Sequence, residues 1–126
     1  MESKTKILLI DDEEDFCFFV KGNLEYTGEF DVLVTSSGKE GLKLARREKP
    51  DLILLDINMP EMPGDEVAYI LFDRPETKEI PVVFLTALLT KGEVGNESMA
   101  SIGGYDYIAK PVTTNDLVTV IREILK

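Results

Sequence analysis

Four side chains at the ends of apolar runs have the types that phosphoryl chemistry needs. Asp56 closes Asp51-Leu52-Ile53-Leu54-Leu55, and Asp11 and Asp12 close Ile7-Leu8-Leu9-Ile10. Lys110 follows Tyr107-Ile108-Ala109. If these runs are parallel strands of one sheet, three acids and a base meet at a single sheet edge. Three carboxylates in one place repel: at ~5 Å and an effective dielectric of about 20, each pair costs on the order of 3 kcal/mol. A hard dication removes that cost, and Mg²⁺ (or Mn²⁺) prefers such oxygen ligands together with phosphate oxygens. Asp56 then has the position of a nucleophile, because a carboxylate can accept a phosphoryl group as an acyl phosphate. Lys110 is placed to neutralise a phosphate oxygen. Thr86, after the apolar run Pro81–Leu85, offers a hydroxyl to another, and the small Ala87 beside it leaves a passage for a donor. The competing explanation for Asp11 and Asp12 is that they cap the following helix, whose start is rich in acids.

The elements that would position these groups alternate along the chain. Apolar runs at Lys6–Ile10, Phe30–Thr35, Asp51–Leu55, Pro81–Leu85 and Tyr105–Ala109 read as strands. Between them, Glu14–Glu25 carries Phe16, Phe19, Val20 and Leu24 at helical spacing. Ser37-Gly38-Lys39-Glu40 has the form of a capping box opening a second helix, which carries Leu42, Leu44 and Ala45 and which Pro50 stops. A third helix over Asp65–Asp73 presents Val67, Ile70 and Leu71. A fourth is expected within Glu93–Ile102, despite the glycines around it. A last helix, capped by Thr113 or Thr114, carries Leu117, Val118, Val120, Ile121, Ile124 and Leu125.

This order predicts an α/β domain with a five-stranded parallel sheet, strand order 2-1-3-4-5, and helices on both faces: a flavodoxin-like (βα)5 fold spanning residues 1–126. Strands one and three flank the point where the order reverses, which is where such sheets bind ligands. They are the strands that carry Asp11, Asp12 and Asp56.

Bulk properties narrow the field. The net charge of −10 opposes direct nucleic-acid binding and anionic membranes. No run approaches the roughly 20 apolar residues of a membrane span, and Met1–Thr5 lacks the apolar core of a secretion signal. The lone Cys17 rules out an internal disulfide and fits a cytoplasmic setting and a packing role. There is no histidine, so any phosphohistidine must come from another molecule.

With these residues in view, the chain resembles the receiver domain of bacterial two-component response regulators. The matching pieces are Ile10-Asp11-Asp12-Glu13, Asp51–Pro60, Gly64, Pro75-Glu76-Thr77 with Ile80-Pro81-Val82, Leu85-Thr86-Ala87 and Tyr107–Pro111. The resemblance implies that Asp56 is the phospho-acceptor. It implies that Asp12 binds the metal directly, Asp11 mainly through water, and Asn58 through its backbone carbonyl. It makes Thr86 and Lys110 the phosphate-contacting pair, Lys110-Pro111 a cis bond, and Tyr107 the switch aromatic, with Tyr105 as its competitor. The implied protein is a signalling switch rather than a turnover enzyme. A sensor histidine kinase or histidine phosphotransfer protein would load it. An attached effector domain or a separate partner would read the face of the fourth helix, fifth strand and last helix. A monomer, or a dimer formed on phosphorylation, is compatible with this.

Departures from the pattern are Pro63, where an acid commonly precedes the turn glycine, and Leu88-Leu89 after the Thr-Ala pair. Leu88, with Asn58, is expected to limit water access and tune phosphate lifetime.

Rival readings make different demands. A pseudo-receiver normally lacks one of the acids, the lysine or the hydroxyl. A flavin carrier needs a first loop that cradles phosphate, where this chain has Asp11-Asp12-Glu13-Glu14-Asp15. A phosphatase with an aspartyl nucleophile spaces its two aspartates differently. A nucleoside triphosphatase needs a Gly-x-x-x-x-Gly-Lys-Ser/Thr loop, which is absent.

Overall fold

The computed structural model describes residues 4–87, 99–102 and 104–126, with only the backbone of Ile102. In chain order the elements are β1 (Thr5–Ile10), α1 (Glu14–Tyr26), β2 (Phe30–Thr35), α2 (Gly38–Glu48), β3 (Leu52–Asp56), α3 (Gly64–Asp73), β4 (Val82–Thr86), β5 (Ala100–Ile102), β6 (Tyr105–Ala109) and α4 (Thr114–Ile124).

The strands are apolar on both sides because both sides are covered. Ile7, Leu9, Leu52, Leu54, Val83, Leu85 and Ile108 face α1 and α4, where they meet Cys17, Val20, Leu24, Leu117, Val120 and Ile121. The alternate residues Leu8, Ile10, Ile53, Leu55 and Phe84 face α2 and α3, where they meet Leu42, Leu44, Ala45, Val67, Ala68 and Leu71. The period of two along each strand sorts one continuous apolar run into two cores. Cys17 is buried, as a packing role requires. Phe19 is not part of the buried stripe of α1; its side chain is exposed. The true stripe is Cys17-Val20-Leu24, which keeps the three- and four-residue steps of one helix face.

Caps set the helix starts. Ser37 accepts a hydrogen bond from the Glu40 backbone N–H, and Thr113 does the same for Asp116. Lys49, in the left-handed region at φ 46°, turns the chain out of α2 ahead of Pro50.

The five parallel strands stand in the predicted order, with β6 in the place of the predicted fifth strand: β2-β1-β3-β4-β6. The sheet differs at its edge. A sixth strand, β5, pairs antiparallel with β6, setting Ala100 against Tyr107 and Ser101 against Asp106. The predicted fourth helix is therefore corrected over Ala100–Ile102; its earlier part lies outside the described residues, as do Leu88 and Leu89. The physical reason is the antiparallel pairing with β6, and Gly104, with φ 86°, suits the reversal that leads into it. The Ser101 hydroxyl donates to Asp106 Oδ1 at 2.7 Å and joins the two strands.

Candidate functional site

Register brings the four predicted groups level. Ile10 lies opposite Leu55, so the next residue of each strand-end, Asp11 and Asp56, are neighbours. Asp56 lies opposite Leu85, and Thr86 opposite Ala109. Backbone bonds continue past the strand ends: Asp11 N–H to Thr35 O at 3.0 Å, Ile57 N–H to Leu85 O at 3.2 Å, and Lys110 N–H to Thr86 O at 2.9 Å. The loops that leave the sheet are thereby held in line, as the parallel arrangement demands.

Asp11, Asp12 and Asp56 each place a carboxylate oxygen within 4.8 Å of the others. Asp11 and Asp56 are buried, and Asp12 is the least buried of the three. Asp11 and Asp12 do not cap α1. The N-cap residue is Glu13, whose side chain makes no capping bond, and Asp11 Oδ1 accepts the Glu13 N–H at 2.9 Å. The donor set is entirely oxygen, with no sulfur or imidazole in the cluster, and so fits Mg²⁺ or Mn²⁺ rather than a softer metal.

The electrostatics follow from this crowding. Burial, and then the charge of Asp11, push the Asp56 carboxyl up to about 6; the Asn58 N–H, at 3.2 Å from Asp56 Oδ1, and the Lys110 charge act against the rise. Lys110 is subject to opposing effects. Burial alone would lower it, but the hydrogen bonds it donates to Glu13 and Asp11 carry it above its ordinary value. Cys17 donates to the Asp11 carbonyl at 3.3 Å, and burial followed by the Asp11 charge pushes the thiol up to about 12. It is a neutral packing group, not a nucleophile.

The structure brings Asp11, Asp12, Asp56 and Lys110 into one pocket, with Thr86 at the adjoining strand end. Lys110-Pro111 is cis. Tyr107 lies on the same strand as Ala109, three residues before Lys110. Its half-buried ring stacks on Phe84, centroids 5.2 Å apart, on the α2–α3 side of the sheet. Tyr105 packs against the same Phe84 and stacks on Phe72. Three participants have no role assigned from sequence, although Glu13 and Gly64 stand among the matching pieces. Glu13 and Phe16 are partners of Lys110, the latter with its ring centroid 4.5 Å from Nζ. Only their closeness to Asp11 in sequence hinted at this.

The third is Gly64, whose N–H donates to Ile57 O at 2.8 Å. A Cβ there would fall 2.2 Å from the Asp56 carbonyl oxygen and 2.7 Å from Ile57 Cα. The colliding atoms are backbone, so they cannot turn aside. Gly64→Ala is expected to cost about 1–3 kcal/mol in urea unfolding and to weaken Mg²⁺ binding by displacing Asp56.

A doubly covered parallel sheet with an acidic, lysine-bearing pocket beyond its carboxyl edge defines a class of small phospho-accepting switches, and the relatives of this chain belong to it. A family profile described as the response regulator receiver domain matches residues 7–122. The chain is 38% identical over 122 residues to the alkaline phosphatase synthesis transcriptional regulatory protein PhoP of Bacillus subtilis, covering 96% of this chain and 48% of that protein. It is 35% identical over 119 residues to the polar-differentiation response regulator DivK of Brucella ovis, covering 94% of each. Chemotaxis protein CheY4 of Vibrio cholerae superposes with a TM-score of 0.82 at 26% identity, over 98% of this chain and 100% of that one. The chain belongs to the response regulator receiver family, the phospho-accepting domains of two-component signalling. It spans about half the length of PhoP and nearly all of DivK. No helix among the described residues is long and apolar enough to cross a membrane.

Proposed function

We propose that Asp56 is the phosphoryl acceptor of this receiver, that residues 1–126 form one receiver domain, and that a phosphohistidine on a cytoplasmic sensor kinase or phosphotransfer protein is the donor. The observation that carries this reading is the convergence of three carboxylates within 4.8 Å, with Lys110 bonded to one of them. In the transfer, the donor's N–P bond breaks and an O–P bond to Asp56 forms. The imidazole nitrogen regains a proton from solvent. A Mg²⁺ held by Asp11, Asp12, Asp56 and the Asn58 carbonyl would supply charge neutralisation for the phosphoryl oxygens. The Asn58 N–H orients the Asp56 carboxylate. Thr86 and Lys110 bind phosphoryl oxygens. The chain is a switch that acts on itself, not an enzyme that turns over a separate substrate.

The readout in this proposal is Thr86 drawn toward the phosphoryl group, with Tyr107 following on the same side of the sheet. Added phosphate charge is a local electrostatic bias on that pair. The face that changes includes β6 and α4, the fifth parallel strand and last helix, read by an attached effector domain or a separate partner, or by a second copy on phosphorylation.

Acetyl phosphate with Mg²⁺ tests the proposal without any partner. One hydroxylamine-sensitive phosphoryl group per chain is expected, which does not form when a chelator is present from the start and is absent from Asp56→Asn. A pseudo-receiver would gain none, and a phosphatase would release phosphate continuously.

A further inference from the structure

Lys110 is held more closely than a phosphate ligand in waiting needs to be. Its side chain is only 9% exposed. Nζ donates to Asp11 Oδ2 at 2.9 Å and to Glu13 Oε1. The Glu13 N–H in turn donates to Asp11 Oδ1. Residue 13 thus grips Asp11 through its backbone and Lys110 through its side chain, closing a ring of three residues.

Resting on the reading of Asp56 as acceptor, we infer that Glu13 is a latch on Lys110, a positioning residue whose carboxylate competes with incoming phosphoryl oxygens for the ammonium. An ordinary N-cap acid would fold back onto the first turn of its own helix. Glu13 makes no such bond and instead crosses to a residue 97 positions away.

The two carboxylates on Lys110 are not equivalent. Asp11 is fully buried, and losing the lysine would strand its charge. The Glu13 side chain is 62% exposed and can turn into water. Glu13 is therefore the partner that yields. Phe16 eases the exchange. Its ring face attracts the ammonium whichever anion is bound, so the lysine changes partner without entering bulk water. The latch sets how much donor is needed for Lys110 to engage, and it offers the lysine an alternative anion once phosphate has arrived.

A simple field effect of the Glu13 charge would also alter donor binding, and Glu13→Asp separates the two. It keeps the charge but is one methylene too short for the bond. Glu13→Gln keeps the length and loses the charge. Acetyl phosphate phosphorylation and beryllofluoride titration, both with saturating Mg²⁺, provide the readouts. If Glu13 is a latch, both variants lower the half-saturating donor concentration, and raise beryllofluoride affinity, by roughly two- to five-fold, the factor of a half-exposed ion pair. Maximal rates change less than about two-fold. The Lys110 ammonium ¹⁵N resonance moves alike in both, whereas Mg²⁺ affinity, which follows charge, falls only in Glu13→Gln. If Glu13→Asp matches wild type while Glu13→Gln departs from it, Glu13 acts by its field and the latch is overturned. If neither variant moves while the wild type is phosphorylated normally, the latch alone is overturned. A wild-type protein that takes up neither acetyl phosphate nor beryllofluoride would overturn the receiver reading and the latch together.

Discussion

Asp56→Asn is expected to stabilise the metal-free protein by about 2–3 kcal/mol at pH 7.5, while abolishing phosphorylation. Folding raises the Asp56 carboxyl from an ordinary 3.8 to about 6. Between those values the folded protein keeps a proton that the unfolded chain has released. Stability therefore falls as pH rises through that window, and at neutral pH the ionised group imposes its full cost. A gap of about two pH units corresponds to roughly 3 kcal/mol. Asparagine keeps an acceptor for the Asn58 N–H and removes the charge that burial and Asp11 oppose. Urea unfolding at pH 7.5 and pH 4 checks the sign: the advantage of the variant should all but vanish at pH 4, where the wild-type group is largely protonated. Mg²⁺ should raise wild-type stability more than that of the variant, because the variant keeps only the Asp11–Asp12 pair of the three carboxylates the cation neutralises. An Asp56→Asn protein no more stable than wild type at neutral pH would contradict the crowded-acid description of the pocket.

The same crowding explains how much of this site could be read from sequence. Asp11, Asp12, Asp56 and Lys110 were visible because each ends an apolar run, and parallel strands deliver their ends to one edge. The strand assignments rested on burial on both sides, and the alternation of Leu8 and Leu9, or Ile53 and Leu54, between two cores is what that burial means. Phe19 was misplaced because hydrophobicity alone cannot say which of two adjacent apolar residues faces inward; the strands beneath α1 decide for Val20. β5 was missed because glycines weaken a helix without saying what replaces it. The choice between helix and strand depends on pairing with β6, a tertiary fact. Glu13 was missed for a related reason. An acid at a helix start has an adequate local explanation, and its bond to Lys110 spans nearly the whole chain. Local patterns reveal what local energetics dictate; contacts between distant segments appear only when the register is known.

Lys110→Met should move stability in the opposite direction to Asp56→Asn, with a loss of about 3–5 kcal/mol in metal-free buffer. That is the range for removing one member of a buried ion pair and leaving its partner unpaired. The stranded partner is Asp11, fully buried and 2.9 Å from the ammonium. Glu13 contributes little to the loss, because its exposed carboxylate can be solvated. Methionine keeps a long apolar side chain at this position, so the loss reports charge more than packing. The pH dependence separates the two substitutions. Lys110 has a raised value in the folded protein, so its ion pair contributes fully below the ordinary 10.5 and is lost only as pH climbs through the elevated value. Lys110 also holds the Asp56 carboxyl down, so only well above the Asp56 value of about 6 and below 10.5 should the gap between wild type and Lys110→Met be nearly flat. In an Asp11→Asn background the same substitution should cost about 1 kcal/mol or less, a coupling that a double-mutant cycle measures directly. If Lys110→Met costs as much with Asp11 neutralised as with it charged, the lysine is not the counter-ion of that carboxylate. The pocket would then need another source of positive charge before magnesium or phosphate arrives.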